Sequence, residues 1–352
     1  MNSPFSDRGM ITDPSRFFGR KVELQKIFNA LASPTPQCVS IIGQRRIGRS
    51  SLLWHVLHSY AQHLPQSTNY HFAYLDLSRD TCRHPRQFYA EVAQAFSSHG
   101  SNSLSPQQFD DWLADQNPQR TQKYILLLDE FNVLQRRRKQ FDDDFYDGLR
   151  SRANAGEMAF VLATHVPLDE IALENDFSST FFGIFTPVFL QGFPYEEAKE
   201  SILRPATPPL RLVDFDAIRH WTRNAETETY HPLKVNIAAD HVWQAMPEPN
   251  HERLKTAYQQ TVNHVFGKSV HNKRRRQLWK SHFVQGWCSM LAGIHWITGE
   301  KPYLILIFLA VVFMLILGIV NLDQIVAALS GSAGIPTLTP TPAPTSLLTP
   351  TP

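Results

Sequence analysis

The feature that most constrains this chain is a short, largely apolar run followed by a glycine-rich loop and a helical pattern. Val39 to Ile42 carries β-branched residues and predicts a buried strand, and Ser50 to Leu57 has its apolar residues at helical spacing. The loop between them reads Gly-x-x-x-x-Gly-Arg-Ser and runs from Gly43 to Ser50. This order of strand, loop and helix is typical of a phosphate-binding P-loop, with Arg49 in the place where lysine is expected.

The residue types in this loop suit a nucleoside triphosphate. Glycines let backbone N–H groups converge on phosphate oxygens, and the helix N-terminus adds a positive dipole. Arg49 would reach the β- and γ-phosphates, and the Ser50 hydroxyl would bind Mg²⁺. Because a guanidinium is longer and forked, we expect nucleotide binding to be retained better than hydrolysis. A surface turn with chance glycines is the alternative, and the flanking strand and helix make it the weaker one.

A second motif supports the same chemistry. Tyr124 to Leu128 is an apolar run that predicts a buried strand, and Asp129 and Glu130 follow it directly. Ligands bind at the carboxyl ends of strands in open α/β sheets. Asp129 would therefore hold Mg²⁺, and Glu130 would be the base that polarises the attacking water. The alternative is an ordinary strand that ends in two solvated acids.

Further strand patterns complete an α/β domain. Strands are predicted for Tyr70 to Leu77, Met158 to His165, and Thr186 to Leu190. Tyr195 to Leu203 begins a group of helices that predicts a small lid. The predicted fold class is an α/β P-loop NTPase with a parallel sheet and a helical lid, followed by one transmembrane helix and a disordered tail.

The chain resembles the STAND-type AAA-like P-loop ATPases of prokaryotes, relatives of the archaeal ATPase and Orc/Cdc6-like groups, from about Phe17 to Met246. The resemblance is carried by Phe18-Gly19-Arg20 with the following Glu23-Leu24, and by the P-loop with its two internal arginines. It implies ATP and Mg²⁺ as ligands. The residues it implies for nucleotide binding are Phe18, Gly19, Arg20, Gly43, Gln44, Arg45, Arg46, Ile47, Gly48, Arg49, Ser50, Ser51, His231 and Pro232.

The resemblance also implies a sensor position at the end of the strand that begins at Met158. Thr164 would contact the γ-phosphate or the attacking water there, whereas the neighbouring His165 could equally be a loop residue. The sequence departs from the family pattern at two points. Asn132 replaces the second aspartate of the acidic motif, and no glycine precedes His231 and Pro232.

A charge-free apolar run lies near the end of the chain. From Tyr303 to Val320 no side chain is polar beyond the tyrosine, and about 20 helical residues span the ~30 Å hydrocarbon core of a bilayer. Lys and Arg residues precede this run and none follows it, which predicts a cytoplasmic ATPase domain and an external C-terminus. The predicted division is 1–16 flexible N-terminus, 17–192 nucleotide-binding domain, 193–246 lid, 247–300 charged helical and juxtamembrane segment, 301–322 transmembrane helix, and 323–352 Pro/Thr-rich tail.

Composition narrows the remaining choices. A formal net charge of +2 gives no global signal for polyanion binding, and three cysteines without metal-site spacing indicate a reduced compartment without structural disulfides. The basic run Arg136 to Lys139 precedes the acidic run Asp142 to Asp144, which is more typical of a self-pairing face than of a nucleic-acid site. The favoured hypothesis is a membrane-anchored ATP-binding signalling switch with slow hydrolysis, acting as a homo-oligomer or with a signalling partner. The alternatives are a nucleic-acid-associated Orc/Cdc6-like or conflict-system ATPase, and a degenerate P-loop scaffold.

Overall fold

A five-stranded parallel sheet forms the centre of the computed structural model, which describes residues 3–97, 102–205 and 210–266. All neighbouring strands are parallel, in the order β2-β3-β4-β1-β5. The α/β class predicted from the sequence is therefore confirmed. The strands are β1 (Val39–Gly43), β2 (Tyr70–Asp76), β3 (Lys123–Asp129), β4 (Met158–Thr164) and β5 (Thr186–Leu190).

The burial of each strand follows its place in the sheet. The central strands β1, β3 and β4 are buried almost throughout, because helices cover both faces of a parallel sheet. The two edge strands alternate between buried and more exposed positions. This difference explains why the central strands are continuous apolar runs in the sequence, whereas β2 is an alternating one.

Seven helices accompany the sheet in the described part of the chain. The helix from Pro85 to Phe96 begins with proline, which is favoured at the first helical position. Two short helices were not predicted, because four and seven residues are too few to show a helical period. The seven are α1 (Lys21–Leu31), α2 (Arg49–His63), α3 (Pro85–Phe96), α4 (Pro106–Gln116), α5 (Asn132–Gln135), α6 (Asp143–Asn154) and α7 (Leu168–Glu174).

A helical lid follows β5 and has its own apolar core. It contains α8 (Tyr195–Leu203), α9 (Leu212–Thr222), α10 (Pro232–Gln244) and a further helix over residues 251–266, here α11. The lid core is a separate cluster that includes Phe215, Ile218, Val235, Ala238 and Tyr258. The group of helices that the sequence predicts from Tyr195 onward is therefore present.

The N-terminal residues, which the sequence predicts to be flexible, contact the lid. Phe5 is only 2% exposed and belongs to the apolar cluster of the lid. The Arg8 guanidinium lies 2.7 Å from the Asp240 carboxylate on α10. One buried aromatic ring and one ion pair connect this segment to the lid. The polar composition of the segment does not predict these contacts, because both partners lie far away in the sequence.

The predicted membrane span from Tyr303 to Val320 lies outside the described residues, as do the juxtamembrane segment beyond residue 266 and the Pro/Thr-rich tail. Among the helices of residues 3–97, 102–205 and 210–266, none is long and apolar enough to cross a membrane.

Candidate functional site

The loop between β1 and α2 has the backbone shape of a phosphate cradle. Gly48 adopts a φ of 103° and Arg46 a φ of 65°, both in the left-handed region. A Cβ on Gly43 would lie 2.8 Å from Ile47 Cγ2, so glycine is required there by close approach. A Cβ on Gly48 would meet no atom within 4 Å, so open space adjoins this backbone. The loop therefore has both the turn and the space that a bound phosphate needs.

The Arg49 side chain folds back over this loop. One of its terminal nitrogens, Nη1, donates hydrogen bonds to the carbonyl oxygens of Gly43 and, at 2.9 Å, Gln44. The residue is only 6% exposed, and burial lowers the pKa of its guanidinium. Its Nε is buried without a hydrogen-bond partner among the described residues. Arg49 thus places a buried positive charge at the cradle.

The sheet register brings the predicted catalytic residues to the same edge as the cradle. Ile42 of β1 pairs with Thr164 of β4, and β3, which ends at Asp129, lies on the other side of β4. Thr164 is fully buried, and its hydroxyl has no hydrogen-bond partner within the described ranges. A buried hydroxyl without a partner is costly, which favours a ligand atom as its partner.

Asp129 is held by two donors. Its carboxylate accepts hydrogen bonds from the Tyr74 hydroxyl at 2.8 Å and from the Glu130 backbone N–H at 2.9 Å. Burial raises the pKa of Tyr74, and the charge of Asp129 raises it further, so the phenol stays a donor. Two donors leave acceptor sites free on the carboxylate, which suits a Mg²⁺ ligand. No local pattern in the sequence marks Tyr74, because its role depends on the pairing of β2 with β3.

Glu130 lies between two cationic or polar side chains. Its carboxylate oxygens are 3.6 Å from Arg49 Nη2 and 3.5 Å from His165 Nε2. Hydrogen bonding to His165, and then the charges of His165 and Arg49, hold the pKa of Glu130 below its usual value against the opposing effect of partial burial. The side chain is 38% exposed, so water can reach it. An accessible carboxylate anion at this point can act as a general base.

His165 is fixed from the β3 side. Its backbone N–H donates to the Asn132 side-chain oxygen at 3.0 Å. Asn132 is the residue that replaces the second aspartate of the family pattern, and its role was not predicted. In the sequence, only the departure from the family pattern marks position 132. Asn132 and His165 are 33 residues apart and follow different strands.

The other end of the candidate site lies between the P-loop and the lid, and we call it the base end. A cavity of about 60 Å³ lies there, far smaller than the ~300–1,000 Å³ of most small-molecule sites. Residues that line it include Phe5, Ile11, Phe18, Arg20, Ile47, Gly48, Ser51, Phe193 and Pro232.

The N-terminal segment, residues 3–16, crosses this base end. The backbone N–H of Ile11 donates to Ser51 Oγ at 3.0 Å, and the Trp54 indole N–H donates to the Thr12 carbonyl at 3.1 Å. Both partners lie on α2, whereas Phe5 and Arg8 contact the lid. The segment therefore connects the P-loop helix to the lid, and it uses the Ser51 hydroxyl that the sequence assigned to nucleotide.

Gly19 and Arg20 connect the loop to the lid from the other side. Both adopt left-handed backbone conformations just before α1, and a Cβ on Gly19 would clash with the Glu197 carboxylate. Arg20 Nη2 donates to the Ile47 carbonyl at 3.1 Å, and the Arg20 backbone N–H donates to Glu197 Oε2 at 3.2 Å. Because Glu197 lies in the first turn of α8, this contact joins P-loop and lid.

His231 and Pro232, both predicted to bind nucleotide, have different surroundings at the start of α10. Pro232 occupies the first helical position and lines the cavity at the base end. The His231 ring packs edge-on against Phe266, with ring centroids 5.2 Å apart. Burial, followed by the charge of Lys234, lowers the pKa of His231 to about 4. Arg46 also approaches Phe266, with its guanidinium carbon 5.9 Å from the ring centroid.

Comparison with known protein families identifies the family of this chain. Residues 34–217, just over half of the chain, match the model of nSTAND2, described as Novel STAND NTPase 2. The chain belongs to the nSTAND2 family. The resemblance to STAND-type P-loop ATPases predicted from the sequence is thereby confirmed, and membership of this NTPase family implies nucleotide binding, usually with Mg²⁺.

Solved structures of related nucleotide-binding proteins have the same fold. A Walker-type ATPase of Pyrococcus abyssi superposes with a TM-score of 0.57 at 16% identity, over 78% of this chain and 80% of that one. The ORC2 protein of Aeropyrum pernix, solved in ADPNP and ADP complexes, gives a TM-score of 0.53 at 13% identity, over 73% and 71%. At such identities the likeness extends to the fold alone. No curated protein matches the chain.

Proposed function

We propose that this nSTAND2 chain is a membrane-anchored switch that binds ATP with Mg²⁺ and hydrolyses it slowly. One observation carries the nucleotide part of the proposal. Gly43 to Ser50, Asp129 and Thr164 meet at one edge of the sheet, where Glu130 also lies 3.6 Å from Arg49. Such a cluster at the carboxyl ends of parallel strands is where ligands of open α/β sheets bind.

The residues at this edge fit a magnesium–triphosphate complex. The open space beside Gly48 leaves a place for phosphate oxygens, and the buried Thr164 hydroxyl has no other hydrogen-bond partner among the described residues. Asp129, with free acceptor sites, and Ser50, in the first turn of α2, would hold Mg²⁺ together with phosphate and water. When bound, the ion supplies positive charge that neutralises the phosphates.

Slow hydrolysis follows from the position of Arg49. Its guanidinium bonds to the carbonyls of Gly43 and Gln44 and also faces Glu130 and His165, so phosphate must compete with four partners already in place. A planar fork also cannot reproduce the compact point charge of a lysine ammonium. ATP binding would therefore be retained, whereas the chemical step would lack part of its electrostatic stabilisation.

The lid is the element that would respond to nucleotide. Arg20 links the P-loop carbonyl of Ile47 to Glu197 of α8, and the N-terminal segment links α2 to Asp240 of α10. Because the cavity at the base end is only about 60 Å³, nucleotide entry requires the lid or the N-terminal segment to shift. A shift of that kind is how binding could become a signal.

The nucleotide part is tested by calorimetry on the full-length chain in detergent micelles, titrated with ATP with and without Mg²⁺. We expect one ATP site whose affinity rises when Mg²⁺ is present. A chain that is folded by circular dichroism yet releases no binding heat with ATP and Mg²⁺ would overturn the proposal.

The anchor would be Tyr303 to Val320, with the nucleotide site cytoplasmic and the C-terminus outside. The support is the length of the apolar run and the basic residues on its N-terminal side alone. The test is fractionation, followed by protease treatment of spheroplasts that carry a C-terminal tag. We expect tag loss and a protected ATPase domain. A chain in the soluble fraction, or a protected tag, would contradict this topology.

DNA binding has less support as an alternative function. The basic run beside α6 is engaged with the protein itself: Arg137 donates to the Cys82 carbonyl at 2.9 Å, and Arg138 lies 3.8 Å from the Asp143 carboxylate. Arg138 also sits over the Phe177 ring at 4.5 Å. These contacts support the self-pairing face that the sequence favours.

A further inference from the structure

We propose that His165 is a positioning residue for the catalytic base: it aims the Glu130 carboxylate once Arg49 has turned to phosphate. The inference rests on the proposed ATP hydrolysis. Its basis is a three-way contact at the sheet edge. Arg49 Nη2 lies 3.6 Å from Glu130 Oε1 and 3.4 Å from His165 Nε2, and the same His165 nitrogen lies 3.5 Å from Glu130 Oε2.

The donor and acceptor roles in this cluster cannot all be satisfied at once. A guanidinium nitrogen only donates, and a carboxylate anion only accepts. His165 Nε2 can accept from Arg49 in one tautomer or donate to Glu130 in the other. In the structure, Arg49 and His165 both lie within reach of the Glu130 carboxylate. Arg49 and Glu130 likewise both lie within reach of the same His165 nitrogen. When Arg49 turns to phosphate, the His165 N–H to Glu130 contact is the one that remains.

Other contacts hold the backbone of His165 in place, while its ring Nδ1 is buried without a hydrogen-bond partner among the described residues. It follows Thr164, which is held in the sheet opposite Ile42, and its backbone N–H is held by Asn132 at 3.0 Å. Its ring is 25% exposed, against 38% for the Glu130 side chain. An aspartate at position 132 could accept the same N–H, but it would add a second negative charge near Glu130. Asparagine keeps the hydrogen bond without that charge.

The step that His165 would support is the attack of water on the γ-phosphorus. A bond forms from the water oxygen to phosphorus while the bond from phosphorus to the β,γ-bridging oxygen breaks, and that oxygen leaves with ADP. Glu130 takes a proton from the water and passes it to solvent, so the base is restored. His165 touches neither water nor phosphate in this scheme. It restricts the Glu130 carboxylate, which is otherwise half-exposed, to the orientation that reaches the water.

The experiment compares two amides at position 165 in the full-length chain. Glutamine can present its amide N–H about where His165 Nε2 lies, whereas asparagine is one methylene shorter and cannot reach. We expect His165→Gln to keep kcat within about threefold of wild type and His165→Asn to lower it about tenfold or more, with the ATP Kd and Tm of both unchanged. His71→Asn is the control, since His71 is exposed and bonds Gln122 at the opposite end of the sheet.

A double-mutant cycle separates this role from a general effect on the site. In a Glu130→Gln background, which lacks the base, His165→Asn should not lower the residual rate further. Equal rates for the two amides, or a loss that appears in ATP Kd instead of kcat, would overturn the positioning role alone. A wild type that binds ATP but turns over no faster than Glu130→Gln would overturn both hydrolysis and this inference. Absence of ATP binding would overturn the proposed function itself.

Discussion

The two ends of the candidate nucleotide site are built in different ways. The phosphate end comes from short stretches directly after buried strands: Gly43 to Arg49 after β1, Asp129 and Glu130 after β3, and Thr164 and His165 at the end of β4. The base end is assembled from Phe5, Phe18, Phe193 and Pro232, which are scattered along the chain. The phosphate end depends on backbone geometry at strand ends, and the base end depends on how separate segments pack.

The two ends also differ in polarity and in the space that they offer to a ligand. The phosphate end contains a charged cluster of Arg49, Glu130 and His165 with contacts of 3.4–3.6 Å. The base end is largely apolar and holds a cavity of only about 60 Å³. The first can receive phosphate through a side-chain rearrangement, whereas the second must open. Nucleotide entry should therefore be limited by the base end, and substitutions at each end should affect different steps.

The largest expected effect is on the packing of the base end. Phe5 is 2% exposed within the lid cluster, so Phe5→Ala should leave a cavity and lower the free energy of unfolding by about 3–5 kcal/mol. Denaturant unfolding followed by tryptophan fluorescence measures this. Phe189→Ala is the matched control, because Phe189 is 55% exposed. Equal and small changes for the two variants would mean that the N-terminal segment is not part of the lid core.

The same contrast explains what the sequence could and could not predict. Glycines and strand-ending acids leave local marks, so the P-loop and the strand before Asp129 were found from spacing and apolar runs alone. The roles of Tyr74 and Asn132 depend on which strands are neighbours, and no local pattern encodes that. Phe5 is a single aromatic residue in a polar stretch, and its burial requires a lid that begins about 190 residues later. Local chemistry thus predicts the phosphate end, and tertiary packing decides the base end.

The next effect concerns Mg²⁺ at the phosphate end. Asp129→Ala removes the carboxylate that would hold the ion, so Mg²⁺ should no longer increase ATP affinity, a loss on the order of tenfold to 100-fold. Calorimetry with and without Mg²⁺ measures the change. Tyr74→Phe is the companion variant: it removes one donor to Asp129 but no ligand, and it should keep most of the Mg²⁺ response. An unchanged Mg²⁺ response in Asp129→Ala would remove this residue from the proposed metal site.

A smaller effect tests the arginine in the P-loop. Arg49→Lys should increase kcat several-fold, by about 1 kcal/mol in activation free energy, because lysine offers a compact charge to phosphate and frees Glu130 from one partner. Steady-state ATP turnover measures it. Arg120→Lys serves as control, as it makes the same exchange at a residue that is 71% exposed and pairs with Glu157 instead of the P-loop. A slower Arg49→Lys enzyme would indicate that the guanidinium fork itself supports the reaction.

The smallest expected effect returns to the base end and asks whether the N-terminal segment controls nucleotide release. Arg8 and Asp240 form a 2.7 Å ion pair, with side chains 33% and 11% exposed. Such partly exposed pairs contribute about 0.5–1 kcal/mol, so Asp240→Asn should speed release of a fluorescent ATP analogue only about twofold to fivefold. Arg8 and Gln244 donate to different oxygens of Asp240, at 2.7 Å and 2.9 Å, so asparagine removes the charge and keeps an acceptor for only one of these two partners.

Salt provides the decisive comparison for this pair. Screening weakens exposed charge pairs, so added salt should speed release from wild type towards the rate of Asp240→Asn and leave the variant almost unchanged. Asp216→Asn is the control, because Asp216 pairs with Arg219 at 3.2 Å on the exposed side of α9, away from the N-terminal segment. If Asp240→Asn releases nucleotide at the wild-type rate at low salt, the ion pair does not hold the base end closed. Opening would then be governed by Phe5, the hydrogen bonds to α2 and the contact between Arg20 and Glu197.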